Sequence, residues 1–197
     1  MTSYLKDYYI ELCKRNVKTL ILPMTVDVDR FQLQSEDFLD SNIITYCGDL
    51  SQNKDGVVTL IESFAILIAD FPNLILKLIG TNKHKQYIDS LIEMTKQMGI
   101  SKNVLFVGYV NPDMIPTELY KSRLLVLSRP SSIQAQGGFS TKLGEYLATG
   151  IPVVVTKVGE IPLYLTDEVN AFMAEPDDAS SFANAMKRSL INNELSL

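Results

Sequence analysis

Apolar residues along this chain fall into two rhythms that alternate. Short β-branched or aliphatic runs read as strands: "IITYC" (43–47), "LILKLIG" (74–80), "NVLFVG" (103–108), "LLVL" (124–127), "PVVV" (152–155) and "AFMA" (171–174). An earlier β-branched run, "VKTLIL" (17–22), is closed by Pro23. Between these runs the spacing turns helical. Over Val57–Asp70, the side chains of Leu60, Ile61, Phe64, Leu67 and Ile68 share a face. Over 83–98, Ile88, Leu91, Ile92 and Thr95 do the same, and Gly99 is the stop signal. Asn111 and Pro112 make an N-cap and first-turn pair for a short helix reaching about Lys121. A further helix follows Ser140–Thr141, and Gly150 ends it. Asp177 is expected to cap a last helix that carries Phe182, Ala185, Met186 and Leu190 on one side.

Strands alternating with helices of ten residues or more predict βαβ units. The fold class is therefore α/β, a mostly parallel twisted sheet with helices on both faces. Ligands of such sheets bind at the carboxyl ends of the strands. The loops to inspect are "GDLSQNKDG", "GTNK", "GYVNPD", "SRPSSIQAQGGFST" and "TKVGEIP". Four of these five carry a glycine at or near the strand exit, where a backbone comes close to a ligand. The fourth is long for a βα connection, where about 2–6 residues are usual, and long loops at a ligand edge are usually functional.

Composition narrows the classes. The chain has 197 residues, 46% hydrophobic and 21% charged, an ordinary globular composition with enough apolar material for a full core. The net charge of −5 and the lack of a basic stripe argue against nucleic acid as a partner. No apolar run approaches the ~20 residues of a membrane span, and residues 1–16 lack the features of a secretory leader, so the cytoplasm is expected. Cys13 and Cys47 have no metal spacing and read as buried thiols. His84 sits in a polar stretch and reads as a solvated loop residue.

The chemistry concentrates in "GGFSTKLGEYLATGIPVVVT" (137–156). Ser140 or Thr141 can cap the helix, and the next amides, with the helix dipole, form an anion site. Lys142 in the first turn opposes that dipole, a cost on the ~0.3–1 kcal/mol scale of end charges unless it meets an anion. The alternative is an ion pair from Lys142 to Glu145, worth only about 0.2–0.5 kcal/mol. Leu143, Tyr146 and Leu147 define the buried face, so Glu145 and Lys142 share the other. On local physics, phosphate cradle and plain helix start stand level.

The order of motifs adds a resemblance. "YCGDLSQNKDGVVTLIESFAIL", "PNLILKLIG", "NVLFVGYV", "GGFSTKLGEYLATGIPVVVTKVGEIP" and "EPDD" before a final helix resemble the carboxy-terminal half of group 1 glycosyltransferases, retaining enzymes of the GT-B fold. The resemblance covers about Val17 to Leu190. It implies a Rossmann-like three-layer domain holding a nucleotide-diphosphate sugar of UDP or GDP type, with no separate cofactor and no metal. It implies that Lys54 and the amides of Phe139, Ser140 and Thr141 hold the diphosphate and that Glu145 binds the ribose. Lys54 and Glu145 are thus the expected catalytic pair. The base is expected near Gly108, Tyr109 and Val110, with Gly48, Gly80 and Gly138 lining the donor site.

Two positions depart from the family pattern. Gly137 stands where a second glutamate is common, and Asp49 where an arginine is favoured. Arg129 and Lys142 are expected to supply the missing positive charge. The resemblance further divides the chain into 1–16, a remnant helix of an amino-terminal acceptor-binding half, 17–191, the donor domain, and 192–197, a tail. The intact enzyme would transfer sugar to a glycan or lipid-linked saccharide with retention, at the inner face of the membrane. The fragment alone would be inactive. The other classes considered are a non-catalytic nucleotide-sugar or phosphate-binding module, a degenerate partner subunit, and a flavodoxin-like domain, the last without a phosphate loop after the first strand.

Overall fold

The computed structural model describes residues 2–14, 18–22, 24–31 and 42–192. Six strands form one sheet: β1 (Ile43–Cys47), β2 (Ile75–Ile79), β3 (Val104–Gly108), β4 (Leu124–Leu127), β5 (Val153–Thr156) and β6 (Phe172–Ala174). Their order is β3-β2-β1-β4-β5-β6 and every pairing is parallel. Flanking helices complete a Rossmann-like α/β fold, as the alternating rhythm predicts. The central strands β4 and β5 are buried at every residue, which is why "LLVL" and "VVVT" are continuously apolar or β-branched rather than alternating.

Nine α-helices accompany the strands among the described residues: α1 (Ser3–Cys13), α2 (Gln52–Asp55), α3 (Val57–Leu67), α4 (Lys85–Gln97), α5 (Ile115–Tyr120), α6 (Ile133–Gly137), α7 (Thr141–Ala148), α8 (Ile161–Tyr164) and α9 (Ala179–Ile191). The apolar face read from sequence on α3 is the one buried, with Leu60, Ile61 and Phe64 fully enclosed. α3 packs on α9, whose Phe182, Ala185 and Met186 are also buried, and α9 continues onto β5 and β6. No helix among the described residues is long and apolar enough to cross a membrane.

Five expectations change, beginning with Cys13, which is exposed rather than buried. Residues 18–22 form no strand; Leu20 and Leu22 are exposed and the run does not join the sheet, while Val17 and Pro23 lie outside the described residues. A β-branched run becomes a strand only where a neighbour satisfies its ladder. The helix from Val57 stops at Leu67 rather than Asp70. The last helix is capped by Asp178, whose carboxylate accepts from the Ser181 amide at 2.9 Å. Asp177 is instead left-handed and accepts from the Ser131 amide at 2.9 Å, tying the β6 exit to the loop after β4. Finally, α2, α6 and α8 occupy stretches whose sequence reads as irregular loop. Of the tail, residues 193–197 lie outside the described residues.

The strand order reverses at β1, with β2 and β3 on one side and β4 to β6 on the other. Connections leave in opposite directions there, opening a crevice at the carboxyl ends.

Candidate functional site at the strand exits

The crevice is built from three glycines in a row. The Gly48 amide donates to the Ile79 carbonyl, and the Gly80 amide to the Gly108 carbonyl, each at 2.8 Å. A register shift at the end of the β2–β3 ladder brings Gly108 opposite Ile79. The loops are so close that a Cβ on Gly80 would lie 1.8 Å from the Gly48 carbonyl oxygen. Side chains are excluded from this floor, and an open groove of about 1020 Å³ lies over it. Gly48, Lys54, Gly80 and Tyr109 line it, four residues singled out from sequence. Asp49, Asn82, Lys83 and His84 line it as well and were not singled out as site residues. His84 is exposed, as its polar surroundings predict, but it caps α4 at the groove edge.

Lys54 stands in the last turn of α2, exposed. The next residue, Asp55, turns the other way and is buried. Its Oδ2 lies 2.7 Å from Lys142 Nζ, and both side chains are largely enclosed. Lys142 Nζ also donates to the Tyr46 hydroxyl at 3.0 Å, and that hydroxyl donates to the Asp49 carbonyl at 2.8 Å. Burial pushes the Lys142 ammonium below its ordinary pKa, against the opposing pull of Asp55, and the nearby charge of Lys54 lowers it further. Burial, then the Asp55 charge, raises the Tyr46 phenol well above its usual value. So Lys142 neutralises Asp55 rather than Glu145.

Arg129 is buried too. Its guanidinium donates to the Gly138 carbonyl at 2.6 Å and the Gln134 carbonyl at 3.4 Å, which closes the long loop around α6. Burial lowers its pKa, with Asp55 nearby acting in the other direction. Both cations expected to compensate for Asp49 therefore have partners within the protein.

α7 starts where the sequence places it, without the expected side-chain cap. Ser140 is the N-cap residue, but its hydroxyl makes no capping bond, so the first amides are the ones a helix leaves without an internal partner. Thr141 is exposed and Ser140 buried. Phe139 stacks edge-on against Tyr164 with ring centres 5.3 Å apart, anchoring the loop before the helix. Glu145 Oε1 lies 3.8 Å from Arg30 Nη1, on the short 3-10 turn Val28–Phe31. This turn is fixed by Phe31, which is buried and whose carbonyl accepts from the Tyr120 hydroxyl. Tyr146 is fully buried beneath the groove. Its hydroxyl accepts from the Cys47 amide at 2.8 Å and donates to the Cys47 carbonyl at 3.3 Å, locking α7 to the end of β1. Burial raises the Cys47 thiol to about 11, so it stays protonated and chemically quiet.

Gly108 and Val110 flank Tyr109 at the β3 exit, and Val110 is half-buried. Gly138, Phe139, Ser140, Thr141 and Glu145 are not among the residues lining the groove, and Gly138 lines a separate apolar depression between α1 and α6. Gly137 is covered by α1: the Thr2 hydroxyl donates to its carbonyl at 2.7 Å, and Leu5 and Tyr4 pack where its Cβ would be. The residues missed from sequence are Asp55, Tyr46, Tyr146 and Arg30. The two tyrosines carried a signal, since a tyrosine within an apolar run must find a partner for its hydroxyl. Among the described residues no group of three or more His, Cys, Asp or Glu gathers as a metal site.

The family model for glycosyl transferases of group 1 matches residues 41–192. The chain belongs to that family. An uncharacterized glycosyltransferase of Methanocaldococcus jannaschii is 30% identical over 151 residues, 77% of this chain and 36% of the relative. The lipopolysaccharide core biosynthesis glycosyltransferase LpsE of Rhizobium meliloti is 28% identical over 170 residues, 86% of this chain and 45% of the relative. The chain thus spans less than half the length of these curated relatives. Among solved structures, a glycosyltransferase from Rickettsia africae superposes with a TM-score of 0.82 at 16% identity, over 99% of this chain and 54% of that one. Anabaena HepE, solved in complex with UDP and glucose, gives a TM-score of 0.75 at 20% identity, over 87% of this chain and 47% of its own. These likenesses place the fold among GT-B glycosyltransferases.

Proposed function

We propose that this group 1 chain is the donor-binding half of a glycosyltransferase, taking a nucleotide-diphosphate sugar in the groove at the strand exits. The observation that carries the reading is the glycine floor of Gly48 and Gly80, with Lys54 and Tyr109 lining the groove over it. A floor without side chains admits a ligand against the backbone, and the exposed lysines Lys54 and Lys83 beside it suit a diphosphate. The complex of Anabaena HepE with UDP and glucose supports the ligand class.

In this reading Lys54 and the amides of Phe139, Ser140 and Thr141, which lead into α7, hold the diphosphate. Glu145 accepts hydrogen bonds from ribose hydroxyls, and Gly108, Tyr109 and Val110 face the base. Arg129 and Lys142 contribute by holding the long loop and α2 in place rather than by a free charge. No separate cofactor is assigned. In the intact enzyme Lys54 and the helix start would stabilise charge developing on the leaving diphosphate. An amino-terminal half would bring a glycan or lipid-linked acceptor to the retained anomeric face. That enzyme would work in the cytoplasm at the membrane surface, and this half alone would not transfer sugar.

Calorimetric titration with UDP, GDP, ADP and their common sugars tests the reading. Lys54→Ala is expected to weaken the best ligand by about tenfold or more, about 1.4 kcal/mol, because it removes a charge-assisted contact. Glu145→Ala should cost several-fold and spare inorganic pyrophosphate. Absence of any nucleotide binding at millimolar concentration overturns the proposal, and unchanged affinity in Glu145→Ala removes the ribose role.

A further inference from the structure

The ion pair between Asp55 and Lys142 joins α2, which lines the groove, to the start of α7. Asp55 ends α2, directly after Lys54; Lys142 lies in the first turn of α7, directly after Thr141. The pair is enclosed, with side-chain exposures of 16% for Lys142 and 2% for Asp55. It is wedged under the floor: a Cβ on Gly48 would lie 2.2 Å from Lys142 Nζ. Tyr46 completes the connection, accepting a second contact from the ammonium and passing a hydrogen bond to the Asp49 carbonyl.

Stability alone does not account for this pair. Desolvating two charges offsets most of what their attraction contributes, and apolar residues of like volume often do as well. Lys142 also opposes the dipole of its own helix. α2 is a single turn of four residues, too short to hold its own geometry. What the pair does supply is a fixed distance and direction between α2 and α7, charge to charge, across a long stretch of sequence.

We infer that Asp55 and Lys142 are positioning residues that set where the Lys54 ammonium stands relative to the amides at the start of α7, so that both meet one bound diphosphate. The inference rests on the donor reading above. Neither residue touches the ligand; each acts through the element it holds.

The test is a cycle of variants of the full chain, titrated with UDP and GDP. Asp55→Asn/Lys142→Met removes the bridge at constant net charge, so a change in affinity is not a change in the overall field. The double variant is expected to lose about tenfold in affinity for the better nucleotide. In a Lys54→Ala background the same double substitution should cost less than twofold, because the positioned group is already gone. Equal losses in both backgrounds, or no loss in either, overturn the inference and leave the donor reading standing. If the unsubstituted chain binds neither nucleotide at millimolar concentration, the donor reading falls and the inference with it. Should the double variant unfold, shown by loss of its far-ultraviolet circular dichroism, Lys142→Arg serves in its place. It keeps the charge but alters the reach, and the same two-background comparison decides.

Discussion

Lys77 is a charged residue in the middle of a buried strand, and Glu118 on α5 makes that tolerable. The ammonium donates to the Glu118 carbonyl at 3.0 Å and to its Oε2 at 3.2 Å, while Lys121 holds the other carboxylate oxygen at 2.6 Å. Partial burial raises the Glu118 pKa, but the hydrogen bonds from Lys121 and Lys77 outweigh it and the net shift is downward. Its folded pKa lies below the unfolded one, so its stabilisation is complete above the ordinary carboxylate range and is lost as pH falls through the depressed value. Glu118→Ala is expected to cost about 1–3 kcal/mol at neutral pH, less than the ~3–5 of a fully buried pair because Glu118 is partly exposed. Urea unfolding at pH 7 and pH 3 checks this: the gap between variant and parent should narrow in acid, and a gap of constant size would refute it. The same residue scale shows where sequence reading stops. That Lys142 and Glu145 share a side of α7 was legible from periodicity. That they ignore each other was not, because their partners, Asp55 and Arg30, come from segments far away in the chain.

Elements were legible in proportion to their periodicity. α3, α4 and α9 carry repeated apolar faces; the expected residues are buried on α3 and α9 apart from half-buried Ile68, and on α4 only Leu91 and Thr95 are. α2 and α6 are four and five residues long, below the length at which a helical period can be seen. They exist because tertiary contacts hold them, and Gly56 shows how. It caps α2 at φ +66 and starts α3, pressed so closely on β4 that a Cβ would lie 1.9 Å from the Ser128 carbonyl oxygen. The Ser128 hydroxyl meanwhile donates to the carbonyls of Asp55 and Gly56. Gly56→Ala therefore meets two penalties, about 1–2 kcal/mol for a left-handed alanine and about 1–3 for overpacking. A fall of more than about 2 kcal/mol in unfolding free energy is expected from denaturant midpoints, along with weaker nucleotide binding through displaced Lys54. A near-neutral variant would mean that α2 can move off β4 freely, which the Ser128 contacts oppose.

The whole molecule divides into a sheet that sequence foretells and attachments that it does not. Parallel topology follows from the alternation of strand and helix, and the position of the groove from the strand order that alternation permits. The run 17–22 misled because β-branched composition reports a fit to a pleated surface, not the presence of a neighbouring strand. α1 is the extreme attachment. None of its residues is buried, and Tyr8, Tyr9 and Leu12 stand exposed along it. It is held near its start, by Thr2 on the Gly137 carbonyl, by the Ser3 amide on Glu160, and by Tyr4 and Leu5 against Gly137. The strands β4 and β5, by contrast, are enclosed at every residue. Local opening free energy follows buried apolar contact, so α1 should open without the sheet opening. Hydrogen exchange read by mass spectrometry is expected to label peptides from 3–13 within seconds to minutes, while those covering 124–127 and 153–156 exchange only with global unfolding. Thr2→Val, which removes both the cap and the Gly137 contact, should speed exchange in α1 and leave the β4 and β5 rates unchanged. Protection in α1 equal to that of β4 would show that it folds as one unit with the sheet.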